Sequence, residues 1–465
     1  MAEKETNYSR RQFVKTAGLV GMGAAFLGCS RSEETSKKAS GDAATSPGKE
    51  AMTEAPSTPP RSGVSTAGEM PTRAFGKTGV QVPILALGGI HDYTQSQLVL
   101  NQAVKMGVTY WDTSERYVNG KSEEGMGMYF EKFPEDRKKV FLVTKSGAGD
   151  PDGLTKSLDE SLQRLKTSYV ELFFLHGIDN AEKALTPEVK QWAEKTRSEG
   201  KIKYFGFSTH ANVEDNLETA AKLGWIDGIM MAYSFRVMDS DRMKAAVDAC
   251  TKAGIGLTAM KTQAKMPSFG PMPAPAKPMD QMTDEERQEM MEKFAKMRED
   301  AEKAPPDELS MNMTERFRNK GFSMEQAKLK LIWDNPAVAT ICSAMYNMAV
   351  LKQNVEAAKG NVQLSRNDKD LFVAYAACTT NMHCPGCTRH CEVGLEKDLP
   401  IGVVMRSLMY ANSYGDRDLG KTTYRELPSD VRKAIPGWDF TAAERRCPNK
   451  LPIGKLMREA SAMLA

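Results

Sequence analysis

Four side chains that together can reduce a carbonyl stand at intervals along the chain. They are Asp112 in Tyr110-Trp111-Asp112-Thr113-Ser114, Tyr117 shortly after it, Lys145 in Val143-Thr144-Lys145, and His176 in Phe174-Leu175-His176. Hydride addition to a carbonyl creates an alkoxide that must be protonated, and a phenol with its ordinary pKa of about 10 is a slow donor and acceptor at neutral pH. A neighbouring ammonium lowers that value. Lys145 is therefore expected to tune Tyr117, Asp112 to keep Lys145 charged and oriented, and His176 to hydrogen-bond the substrate carbonyl. Each residue alone has a structural reading, since Lys-Asp pairs and hydrogen-bonded histidines are common in barrels. Their conjunction is what points to chemistry.

A second set is made of thiols. Five of the eight cysteines, Cys378, Cys384, Cys387, Cys391 and Cys447, lie in the last quarter of the chain. Clustering of this kind in a large chain favours metal ligation over a disulfide framework. Cys250 and Cys342 read as ordinary buried thiols. Cys384-x2-Cys387-x3-Cys391 resembles the latter part of a bacterial ferredoxin run, C-x2-C-x2-C-x3-C, with Asn381 at the missing first place. An echo follows: Leu399-Pro400-Ile401-Gly402 after Cys391, and Leu451-Pro452-Ile453-Gly454 after Cys447. The second half holds Gly437, Phe440 and Ala443 before Cys447, so at most one cluster can be ligated. The two-half resemblance implies ligation by Cys384, Cys387 and Cys447, with Cys391 or Cys378 as the fourth. Zinc held with His383 or His390, and disulfides, are the alternatives. Neither Cys pair is followed by His in C-x-x-C-H form, so covalent haem is not indicated.

These residues need a scaffold that brings distant segments to one rim. Beyond Pro71 short aliphatic or β-branched runs alternate with amphipathic stretches, the pattern of βα units. Strands are expected at Val82–Leu87, Thr109–Thr113, Val140–Lys145, Val170–His176, Tyr204–Thr209, Gly228–Tyr233, Gly256–Met260 and Val338–Ser343. That number points to a closed (β/α)8 TIM barrel, and no Gly-rich dinucleotide fingerprint follows the first strand. In such a barrel the C-terminal strand ends form the active face, where the polar quartet falls. Arg73–Val82 reads as a hairpin capping the barrel bottom. The insertion 262–324, Met-rich and then charged, leaves the active face and reads as a lid or a solvated helical hairpin. Its methionines (Met266, Met272, Met279, Met282, Met290, Met291) suit adaptable packing.

The blocks Asp112-Thr113-Ser114-Glu115-Arg116-Tyr117, Val143-Thr144-Lys145 and Phe174-Leu175-His176 resemble the catalytic blocks of the aldo-keto reductases, in that family's order. The resemblance covers roughly residues 71 to 360, through Phe205-Gly206-Phe207-Ser208-Thr209-His210. It implies a nicotinamide cofactor, NADP or NAD, across the barrel top, with Ser208 and Thr209 near the carboxamide and Ser343, Met345 and Asn354 near the adenosine end. Thr209 stands where an Asn is usual, Met230-Met231 where a Gln is usual, and only Lys352 is offered to a 2′-phosphate. Some members carry a ferredoxin-like extension, which implies one iron-sulfur cluster of the 4Fe-4S type here.

The chain has 465 residues, 63 Lys+Arg against 60 Asp+Glu and a formal net charge of +3, which gives no broad footprint for nucleic acid. Ser9-Arg10-Arg11-Gln12-Phe13-Val14-Lys15 and the apolar run Ala17–Leu27 resemble a twin-arginine signal over 1–29. Phe26-Leu27-Gly28-Cys29 resembles an imperfect lipobox, with ordinary cleavage as the alternative, so membrane contact is expected only through an acyl anchor on Cys29. Residues 30–70 are too poor in large apolar side chains to offset ordering entropy and read as a tether. The barrel is expected over 71–362 and the cysteine-rich extension over 363–465. The whole reads as an exported, periplasmic oxidoreductase acting on a small carbonyl or alcohol, with an electron-transfer partner as a further expectation. A non-catalytic electron-transfer or binding protein on a retained barrel is the alternative.

Overall fold

The computed structural model describes residues 68–264, 308–395 and 399–465, with a few positions between 283 and 292. The signal with Cys29, the tether up to residue 67 and most of the insertion, including its six methionines, lie outside the described residues. No helix among the described residues is long and apolar enough to cross a membrane.

Two short antiparallel strands, β1 (Thr72–Ala74) and β2 (Gln81–Pro83), form a hairpin. Eight parallel strands then close into a barrel: β3 (Leu85–Gly88), β4 (Tyr110–Asp112), β5 (Phe141–Ser146), β6 (Val170–Leu175), β7 (Ile202–Thr209), β8 (Gly228–Ala232), β9 (Gly256–Met260) and β10 (Val338–Ala344). β10 pairs with β3 to complete the cylinder. Val82–Leu87, expected as one strand, is divided at Ile84. Pro83 has no N–H to give a continuing ladder, so the chain ends its pairing with β1 there and enters the barrel at Leu85.

Two apolar layers result from the alternation of side chains along each strand. Leu87, Trp111, Phe173, Phe205 and Leu257 pack outward under the helices, and Tyr110, Val143, Leu172, Phe174 and Met230 fill the barrel. The hairpin's Phe75, fully buried, plugs the bottom. It packs edge-on to Tyr110 at 6.2 Å, and a Cβ on Gly256 would lie 2.5 Å from its ring, so the plug needs glycine there. Register then sets the rim: Gly88 lies opposite Asp112, Asp112 opposite Val143, and Lys145 opposite Phe174.

The end of the insertion is a helix, Glu308–Asn319, whose Met313 and Phe317 pack with Phe235, Phe372 and Tyr375. It is clipped to the first helix beyond the barrel, Arg366–Cys378, through fully buried Asp368, which accepts from Arg316 Nε at 2.5 Å and from Lys320. The extension continues through helices Thr388–Cys391, Ile401–Ser413, Arg417–Arg425, Thr441–Arg446 and Ile453–Leu464 around its own core of Leu399, Val404, Leu408, Tyr424, Leu451 and Met457.

That second core lies on the active face, along a seam with the loop after β7. Asn212 N donates to Gly386 O at 2.9 Å, Asn212 Nδ2 to Thr388 Oγ1 at 2.8 Å, and Arg389 N to Asn212 Oδ1 at 3.0 Å. Asp215 ties Arg389 and Arg242 together. Gly386 adopts φ +79°, and a Cβ there would fall 2.4 Å from His210 O, so only glycine allows this approach.

The Asp368 clip predicts a pH signature. Arg316, Lys320 and the Ser365 cap hold its carboxyl below the usual carboxylate range against the opposing effect of burial. Its stabilisation is then complete above the unfolded value of about 4 and is lost as pH falls through the folded value. Asp368→Asn should cost about 3 kcal/mol at pH 7, and the gap to wild type should narrow as denaturant melts are taken below about pH 4. A gap that does not change with pH would show that the carboxylate's charge is not what stabilises.

Candidate active site and cysteine cavity

Lys145, on β5, points into the barrel mouth and is fully buried. Its Nζ lies 2.5 Å from Asp112 Oδ1 at the end of β4, donates to Thr113 O at 2.7 Å, and reaches Tyr117 Oη at 3.3 Å. The same ammonium sits 4.7 Å from the centre of the Tyr117 ring, and the His176 ring meets that ring edge-on at 5.6 Å. His176 Nδ1 is 2.9 Å from Ser114 Oγ, which leaves Nε2 for a ligand. All four predicted residues thus meet within one hydrogen-bonded and ring-packed group.

The rest of the Asp112 to Glu123 block is the mount for this group. Ser122 Oγ bonds Thr113 Oγ1 at 2.7 Å and donates to Gly89 O at 2.6 Å. Fully buried Glu123 accepts from Thr144 at 2.5 Å and from Arg164 Nε at 2.7 Å, while Glu115 accepts from Gly147 N at 2.8 Å and from Ser157. The chain turns sharply after Tyr117 through Val118 at φ 52° and Asn119 at φ 54°. A left-handed β-branched residue beside a reactive phenol is backbone strain at a working position.

The electrostatics differ from the expectation in one respect. Lys145 was expected to lower the Tyr117 phenol, but the phenol is pushed well above its ordinary range, first by burial and then by Asp112. Asp112 itself is raised by burial and pulled back by Lys145, and His176 is depressed well below its ordinary value by burial and then by Lys145 and Arg116. At neutral pH the group therefore offers a protonated phenol and a neutral imidazole, a proton-donating face.

The residues expected at a cofactor divide into two groups. Ser208 Oγ accepts from Gly177 N at 2.8 Å, and Thr209 Oγ1 donates to Ala211 O at 2.8 Å and accepts from Asn216. Both hydroxyls brace the loops after β6 and β7. Ser343 and Asn354 come together at 2.9 Å and are joined by Gln263, whose carboxamide accepts from Ser343 at 2.5 Å and donates to Asn354 at 3.1 Å. Met345 is fully buried beside them in sequence. Gln263 was not singled out from the sequence, and it lies just past β9. Met230 and Met231 are buried in the apolar layers.

In the extension Cys384, Cys387, Cys391 and Cys447 line one small apolar cavity with Pro385, Ile401 and Leu451. None of the four is in a disulfide, and Cys378, exposed at the end of its helix, does not line the cavity. Leu451 N points at Cys447 Sγ from 3.5 Å. Burial pushes Cys387 up to about 11 and Cys391 up to about 12, with neighbouring thiols adding to the rise. Four thiolates in this cavity would require a compensating cation. Among the described residues no three or more His, Cys, Asp or Glu side chains converge tightly enough for a single metal ion.

The sequence echo is a structural repeat. Gly402 N donates to Glu392 Oε1 and Gly454 N to Glu444 Oε1, both at 2.8 Å, and the Ile401 and Ile453 amides bond back to Leu399 and Leu451 at 2.8 and 2.9 Å. On this register Cys391 corresponds to Ala443, and Cys447 to Leu395. Cys384, Cys387 and Cys391 thus stand in one half and Cys447 in the other.

The model of the aldo/keto reductase family matches residues 86–372, ending before the cysteine segment. Among known proteins, the uncharacterized oxidoreductase YqkF of Bacillus subtilis is 26% identical over 281 residues, 56% of this chain and 81% of that one. The aldo-keto reductase yakc [NADP(+)] of Schizosaccharomyces pombe is 29% identical over 185 residues, covering 37% of this chain and about half, 52%, of its own length. The holo form of aldo-keto reductase AKR11C1 from Bacillus halodurans matches at 19% identity with a TM-score of 0.48, over 66% of this chain and 96% of that one. With a closed eight-stranded barrel and a family match over most of it, the chain belongs to the aldo/keto reductase family of oxidoreductases.

Proposed function

We propose that this protein is an exported oxidoreductase that reduces a small-molecule carbonyl to an alcohol, or runs the reverse, with NADP or NAD, and that its extension carries one 4Fe-4S cluster. The observation that carries the reading is Lys145 in contact with both Asp112 at 2.5 Å and Tyr117 at 3.3 Å. Tyr117 donates the proton to the developing alkoxide, and His176, neutral and fixed through Ser114, orients the carbonyl oxygen. Lys145 stabilises the phenolate left behind, and Asp112 keeps the ammonium charged inside the barrel.

Ser343, Gln263 and Asn354 would hold the nucleotide end of the cofactor, which supplies the hydride when bound. Cys384, Cys387, Cys391 and Cys447 would hold the cluster, which when bound supplies one-electron chemistry or a structural clasp. The chemistry of this donor set fits such a group: four thiols in a shared apolar cavity, with a backbone amide aimed at one sulfur. The export reading rests on Arg10-Arg11 and the run that follows, with a lipid anchor at Cys29 as its extension.

Three outcomes are expected. Tyr117→Phe should lower kcat by about a hundredfold or more while NADPH or NADH affinity, followed by fluorescence, changes little; undiminished turnover would remove Tyr117 from its role. Protein retained in the cytoplasm and purified without oxygen should show broad visible absorption that Cys447→Ser abolishes, and a colourless, nucleotide-free wild type would favour the non-catalytic alternative. Replacing Arg10 and Arg11 with Lys should leave the protein in the cytoplasmic fraction, and unchanged fractionation would end the twin-arginine reading.

A further inference from the structure

Between the barrel rim and the extension that roofs it lies a partly enclosed cavity of about 70 Å³. Its charge is one-sided. Arg236, Lys261 and Arg406 line it together with His210 and His383, and no Asp or Glu is among its lining residues. Like charges gathered in a partly enclosed space repel one another and lose hydration, so such an arrangement is stable mainly when an anion completes it.

The cations are available for one. Arg236 uses Nη1 on Thr379, at 2.8 Å to the hydroxyl, while its Nη2 is buried without a hydrogen-bond partner. Arg406 makes no ion pair with any carboxylate among the described residues. Lys261 follows β9 in a left-handed conformation, φ 62°, with its ammonium 4.5 Å from the centre of the Tyr410 ring. The one carboxylate of the catalytic group, Asp112, is already paired with Lys145. Arg236 and Lys261 come from barrel loops and Arg406 from the extension, so the pocket is complete only with the roof in place.

We infer that this space is an anion subsite, built by Arg236, Lys261 and Arg406, that takes the carboxylate or phosphate of an acidic carbonyl substrate. The substrate assignment rests on the reading of the protein as a carbonyl oxidoreductase. Its position supports the link: Arg236 and Lys261 follow the C-terminal ends of β8 and β9, the same rim on which the ends of β4, β5 and β6 present Asp112, Lys145 and His176. The cysteine cavity is a weaker claimant to these charges, since Cys384 alone of its four thiols also lines this space.

The test uses the full-length protein and two readouts. Oxalate and inorganic phosphate are titrated separately by calorimetry, and kcat/KM is compared for 4-carboxybenzaldehyde and benzaldehyde. Wild type should bind one of the anions and prefer the carboxylated aldehyde by roughly tenfold or more; Arg406→Gln should abolish both effects, and Arg406→Lys should restore part of each. Lys261→Gln serves as the second variant should Arg406→Gln fail to fold. Absence of anion binding to wild type, or anion binding that survives both Gln variants, overturns the subsite. Loss of NADPH affinity in Arg406→Gln as large as the loss of oxalate affinity reassigns the anion to the cofactor's diphosphate, and a changed visible spectrum with unchanged oxalate binding reassigns the charges to the thiols; either overturns the substrate assignment. If neither aldehyde is turned over, the oxidoreductase reading fails while the calorimetry still decides the pocket.

Discussion

A single ammonium inside a hydrocarbon-lined cylinder governs this structure. Lys145 is fully buried, and an unpaired charge there would be too costly to keep. Asp112 at 2.5 Å and the Thr113 carbonyl at 2.7 Å make it tolerable, and both belong to the strand end and loop that lead into Tyr117. The need to neutralise Lys145 therefore fixes how β4 ends, where the loop turns and how the phenol is aimed. Ser122, Glu123 and Glu115 then hold that loop to β3, β5 and the helices outside, so the strained turn at Val118 is sustained by several independent anchors.

The barrel and the convergence of Asp112, Tyr117, Lys145 and His176 at its rim were legible because both rest on local rules. Alternating βα periodicity gave the strands, and the ends of strands gave the reactive residues. Most strand boundaries moved by one or two residues, and Val82–Leu87 was divided where the backbone chemistry of Pro83 intervened. The sense of the Tyr117 shift was not legible: sequence names the nearby cation but not the burial of the phenol, which outweighs it. Gln263 and Lys261 follow the same strand-end rule that found Lys145, since both come just after Met260, and could have been read. Arg406 and Tyr410 could not, because nothing in a helix of the extension announces that it will be laid across a barrel mouth.

The repeat in the extension illustrates a related limit. Leu-Pro-Ile-Gly was readable twice, but the register of the halves is set by Glu392 and Glu444, each capping the amide of the glycine that follows the Ile. With that register the thiols fall three and one across the halves. Ala443, the counterpart of Cys391, is buried where the second half would need a further sulfur donor, so apolar packing has replaced it and joins the halves through a common core.

The seam between Asn212 and the Gly386 loop carries a consequence for the order of assembly. Its partners stand 176 and 177 positions apart in the chain, and closing so long a loop is worthwhile only once both surfaces are formed. Because Asn212 belongs to the loop after β7, the covering helices can seat only once that loop is in place, and until then the mouth is uncovered. Any bulky molecule that must end beneath those helices has its widest route in during that interval, and afterwards only the gap at their margin.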